Sequence, residues 1–78
     1  MGINITHNQD TAPGRFAKIN RGMARIKLGD NRGAIADYNE AVRINPNYDK
    51  AYYNRGNAHS DLGDWQGAIG DYDRASAN

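Results

Sequence analysis

Apolar residues recur at intervals of three and four over residues 15–28, at Phe16, Ile19, Met23 and Ile26, among good helix formers. This spacing predicts a helix. Gly29 can take the left-handed backbone that closes it, and Asp30 can cap the next. Over residues 31–44, Ala34, Ile35, Tyr38, Ala41 and Val42 fall on one helical face. Asn45-Pro46-Asn47 stops the pattern, because a proline disfavours helix in the residue before it. The cycle then repeats, with a helix over 49–62, a turn at Gly63-Asp64 and a helix over 65–77. Residues 1–14 do not follow the pattern. Their Asn, Asp, Thr, Pro and Gly read as an irregular tail, in which Ile3 and Ile5 allow a short extended piece.

The two halves are copies of one another. An offset of 34 residues lays 15–44 on 49–78 and matches Ala17 with Ala51, Asn20 with Asn54, Arg21 with Arg55, Gly22 with Gly56 and Ala24 with Ala58. It also matches Leu28-Gly29-Asp30 with Leu62-Gly63-Asp64, Gly33-Ala34-Ile35 with Gly67-Ala68-Ile69, Asp37-Tyr38 with Asp71-Tyr72, and Ala41 with Ala75. A fixed period of this size marks stacked structural units, none of which can bury its apolar face alone. The expected fold is all-α: an α-solenoid of two stacked helix-turn-helix hairpins behind an irregular N-terminal tail. The boundaries expected are 1–14 for the tail, 15–48 for the first repeat, and 49–78 for a second that stops before its linker.

The pattern resembles the tetratricopeptide repeat. Each hairpin has a small residue where its helices cross, Gly22 and Gly56. Each has the Gly-Asp turn, the Ala-Ile of the second helix (34–35 and 68–69), then the aromatic (Tyr38, Tyr72) and the alanine (Ala41, Ala75). Small residues at a crossing let two helix backbones approach closely. Asn45-Pro46 matches the family's inter-repeat stop. Departures accompany the match. Lys18 replaces an expected aromatic, Arg21 and Arg55 an expected leucine, and Arg25 and His59 another aromatic, which thins the expected core.

The resemblance implies a non-catalytic protein-interaction module. Its concave groove would be lined by the first helix of each repeat: Phe16, Ile19, Asn20, Met23, Ile26 and Lys27, then Lys50, Tyr53, Asn54, Asn57, Ser60 and Asp61. In the family, asparagines at the Asn20 and Asn54 positions hydrogen-bond ligand backbone or carboxylate. Asn20 and Lys50 match two positions of the family's carboxylate clamp, but such a clamp needs several donors converging on one anion. The apolar stripe Phe16, Ile19, Met23, Ile26 has two readings: buried under the tail or a second copy, or open as a peptide groove.

Composition narrows the partner. Ten basic and nine acidic residues give a net charge of +1 in mixed order, which is no footprint for nucleic acid or a membrane surface. No run is long enough to span a bilayer, and a cytoplasmic protein is expected. No cysteine nucleophile, Ser-His-acid arrangement or phosphate-cradling loop is present, so no enzyme and no cofactor are expected. His59 with Asp61 or Asp64 is too small a set for a metal site. MGINIT has the spacing of a myristoylation signal and Asn4-Ile5-Thr6 that of a glycosylation sequon, but both patterns are short and common.

Trp65, Ile69 and Tyr72 share one side of the last helix and, with the first stripe, predict self-association, a closed homodimer being favoured over head-to-tail stacking. Two alternatives stay open: a fragment or engineered minimal array whose main property is self-assembly, and an accessory subunit of an enzyme complex.

Overall fold

Gly29 and Gly63 both adopt a φ of 82°, the left-handed conformation that glycine tolerates best. Each ends a helix in the same way. The Gly29 N–H donates to the Ile26 carbonyl (2.9 Å) and the Asp30 N–H to that of Arg25 (2.8 Å). Gly63 and Asp64 donate likewise to Ser60 and His59. The aspartate then turns round and caps the following helix. Asp30 Oδ1 accepts from the Gly33 N–H at 2.9 Å and Asp64 Oδ1 from the Gly67 N–H at 3.0 Å.

The computed structural model describes residues 13–77, with side chains from residue 16 onward. Four helices follow in order: α1 (Pro13–Lys27), α2 (Asn31–Ile44), α3 (Asp49–Asp61) and α4 (Trp65–Ala77). The first begins at Pro13, two residues before the periodicity does, because a proline at the first helical position loses no intrahelical bond. Leu28 and Leu62 fall just outside their helices. Residues 1–12 of the expected tail, with Ile3 and Ile5 and the MGINIT and Asn4-Ile5-Thr6 patterns, and Asn78 lie outside the described residues, whereas Pro13 and Gly14 belong to α1.

α1 packs antiparallel on α2 and α3 on α4, giving two hairpins, and α2 packs on α3 to join them. The core sits where α1, α2 and α3 meet. Ile19, Ala34, Tyr38, Ala41 and Ala51 are buried together, with Ile26, Val42 and Tyr48 against them. Burial raises the Tyr38 phenol above its ordinary range, and the neighbouring Asp37 charge adds to this. The link between hairpins is fixed by the Tyr52 hydroxyl, which donates to the Pro46 carbonyl at 2.8 Å.

The arginines that stand where leucine or an aromatic is expected do not leave the hairpins unsupported. Arg21 Nε donates to both oxygens of the buried Asp37 at 3.2 Å, and Arg25 bridges Asp37 and Asp30 at 3.0 Å each. In the second hairpin Arg55 holds the buried Asp71 through Nε (2.9 Å) and Nη2 (2.7 Å). His59 stands in the place of Arg25, 3.1 Å from Asp64 and 3.7 Å from Asp71. Each crossing is thus closed by a repeated ion pair whose partners are sixteen positions apart.

The Asp30 carboxyl is held below its usual range, first by the Gly33 N–H and then by the Arg25 guanidinium. A depressed native value means that its stabilising effect is complete above the unfolded-state value and lost as the pH falls through the native one. The melting midpoint should therefore fall as the solution is acidified below the ordinary aspartate range. Asp30→Asn should flatten that fall in a pH series of thermal melts, and an unchanged slope would contradict the cap assignment.

Candidate protein-binding groove

The stacking of α3 beside α1 opens a cleft between them. Met23, Ile26 and Lys27 come from α1, Asn54, Asn57 and Asp61 from α3, and Tyr38 of α2 forms part of the floor. The cleft is apolar along Met23, Ile26 and Tyr38, with amides and one charge of each sign at its margin. The Asn57 side-chain oxygen accepts from the Tyr72 hydroxyl, which fixes its orientation. Asn54 makes no side-chain hydrogen bond among the described residues, so its amide is open to a ligand. Among the described residues the only charges lining the cleft are Lys27 and Asp61, both exposed.

The twelve residues expected along one groove do not share one surface. Met23, Ile26, Lys27, Asn54 and Asn57 share the cleft just described. Lys50 and Tyr53 belong to a different depression, between α3 and α4, with Asp49, Tyr72, Ala75 and Ser76. Ile19 is in the core and presents no groove surface. The reason is the position of α3. It crosses α1 near Ile19 and brings Ala51 onto it, whereas Tyr53, at the equivalent position, is exposed. The stripe is accordingly not one surface. Phe16 and Met23 are partly exposed, Phe16 stacks edge-on against Tyr48 with centroids 6.1 Å apart, and Ile26 is half-buried. Asn20 is exposed on α1 and lines neither depression, so the two clamp-like residues Asn20 and Lys50 are not brought together.

On α4, Trp65 and Ile69 are exposed. Tyr72 turns inward, its ring 5.7 Å from that of Tyr53 and close over Gly56.

Sequence reasoning missed the Arg–Asp pairs that hold the groove helices in place. The signal was available, because Arg21/Arg55 and Asp37/Asp71 are matched across the repeat at equal separation. It also gave Tyr38 only a core role, although the ring reaches the cleft floor.

Helical hairpins stacked side by side, with close glycine crossings and a cleft between their first helices, define a repeat solenoid. The family model for the TPR repeat matches residues 22–63, from the first crossing glycine to the second hinge glycine. The chain belongs to the TPR repeat family, and its four helices are consistent with two tandem repeats. Repeats of this family are typically non-catalytic protein-interaction modules. No curated protein matches the chain. Among the described residues no helix is long and apolar enough to cross a membrane.

Proposed function

We propose that the chain is an interaction scaffold that holds an extended segment of a partner protein in the cleft between α1 and α3. The observation that carries this reading is the free Asn54 amide beside Asn57, set over the apolar surface of Met23, Ile26 and Tyr38. An extended peptide has unpaired backbone donors and acceptors along its length, and side-chain amides at a cleft margin can satisfy both. The apolar floor then favours a ligand with a large apolar side chain at that point, and Lys27 and Asp61 favour mixed rather than uniform charge.

A peptide selected on the wild-type chain from a random displayed library tests the reading. Asn54→Ala with Lys27→Ala should weaken its binding by about tenfold or more, since a lost hydrogen bond to a charged or buried group is worth about 1.5–3 kcal/mol. The melting midpoint should shift little, because Lys27 is exposed and Asn54 is only half-buried with no side-chain hydrogen bond among the described residues, and substitutions away from such features are usually within about 0.5 kcal/mol. Equal affinity for the variant and the wild type would place the site elsewhere.

Self-association is a second reading, favoured by the exposure of Trp65 and Ile69 on one side of α4.

A further inference from the structure

The seam between α2 and α3 has counterparts on the two outer helices. Across that seam, α3 sets Ala51 against Tyr38 and Ala41 in the core, Arg55 against Asn39, and Leu62 beside Ile35. Thirty-four residues before these three α3-side positions stand Ala17, Arg21 and Leu28, the same residue types on α1 and just beyond its end. All three are exposed. Thirty-four residues after the α2 positions stand Ile69, Tyr72, Asp73 and Ala75 on α4. Apart from Asn39, which becomes Asp73, these too are unchanged. The depression lined by Lys50, Tyr53, Tyr72, Ala75 and Ser76 is the place into which a helix like α3 would settle.

We propose that a second copy of this chain docks its α1 on α4 of the first, reproducing the α2–α3 seam between molecules. This rests on the self-association reading above and specifies its geometry. Leu28 covers Ile69, Ala17 meets Ala75, and Arg21 pairs with Asp73. The exposures fit: Leu28 is 83 % exposed where Leu62 is 39 %, and Ile69 is 58 % exposed where Ile35 is half-buried. The arginines carry the argument further. Arg55 uses Nε and Nη2 on Asp71 and donates from Nη1 to Asn39 at 2.8 Å, across the seam. Arg21 uses Nε and Nη2 on Asp37 in the same way, and its Nη1 makes no hydrogen bond among the described residues. The Arg21 side chain is 57 % exposed, against 16 % for Arg55. Asp73 makes no ion pair among the described residues. The one changed partner thus turns a hydrogen bond between a guanidinium and a neutral amide into an ion pair. Complementary charge of this kind fixes orientation and register between molecules.

One end of the seam is weaker than its internal model. The edge-to-face pair of Phe16 and Tyr48 has Lys50 and Gly14 at the equivalent positions. A single helix pair is also a small interface, so association is weak and reversible. Because α1 and α4 are different surfaces, the contact is head-to-tail and does not close on itself as a two-fold dimer does.

Sedimentation equilibrium up to about 1 mM, where weak contacts register, tests this with two variants at exposed positions. Leu28→Glu blocks the α1 surface, and Ile69→Glu with Asp73→Arg blocks the α4 surface. The wild-type mass should rise past the dimer with concentration. Each variant alone should be monomeric, and an equimolar mixture should form a heterodimer and stop there. Asp73→Asn, which copies the residue of α2, should keep association, weaken it several-fold and flatten its salt dependence, so the test survives if a charge-reversed variant misfolds. A wild-type monomer throughout would overturn both the stacking and the self-association reading. A Leu28→Glu variant that still dimerises would overturn the stacking alone, and so would a mixture that stays monomeric.

Discussion

Asp71→Ala should lower stability by about 3 kcal/mol, because removing one partner of a buried ion pair leaves the other charge uncompensated. Asp71 is buried and receives two short bonds from Arg55, itself well covered by the α2–α3 seam. Without Asp71 the guanidinium keeps its hydrogen bond to Asn39 and its place over the Tyr52 ring but loses its counter-charge, and His59 loses a neighbour. For a domain of this size the loss corresponds to a fall in melting midpoint on the order of 15 °C. Asp37→Ala should cost clearly less, although it removes two arginine partners. Arg21 and Arg25 are far more exposed than Arg55 and can be rehydrated once the carboxylate is gone. Thermal melts followed by circular dichroism would show the order. An equal or larger effect at Asp37 would mean that burial of the arginine does not set the cost.

Gly22→Leu should disrupt the first hairpin. A Cβ at residue 22 would lie 2.6 Å from the Tyr38 ring, and that ring is enclosed by Ala34 and Ala41 in the core. Overpacking costs typically about 1–3 kcal/mol, and here the upper end is expected because Tyr38 is fully buried and packed in the core on the side that faces Gly22. Gly22→Ala shows the same conflict in milder form, since the gain in helix propensity of about 1 kcal/mol opposes the clash. At Gly56 the ring met is that of Tyr72, which is half-buried and can swing outward, so Gly56→Leu should cost less. Urea midpoints would rank the three variants. A Gly22→Leu chain with an unshifted midpoint would contradict the crossing described here.

The hairpins were legible in the sequence because their signals are local. Gly29-Asp30 and Gly63-Asp64 dictate a left-handed closure and a cap within a few residues, and those bonds form as expected. Helix starts were less exact, since Pro13 extends α1 without contributing to its apolar period. The ion pairs were missed for a different reason. An arginine at an apolar position reads as a lost contact until its partner, sixteen residues on, is placed opposite it. The groove was legible only in part. Spacings of three and four put Phe16, Ile19, Met23 and Ile26 on one face of α1, but they do not tell how much of that face a neighbour covers. The crossing of α3 decides this: it buries Ile19, leaves Met23 at the cleft, and turns Lys50 and Tyr53 toward α4.

That the cleft between α1 and α3 receives a partner segment is the central claim, and residue-resolved chemical-shift mapping tests it most directly. A ¹⁵N-labelled chain titrated with a library-selected peptide should show its largest shifts at Met23, Lys27, Asn54, Asn57 and Asp61, including the side-chain amides of the two asparagines. Shifts concentrated on α2 and α4, with those five residues unmoved at saturation, would contradict it.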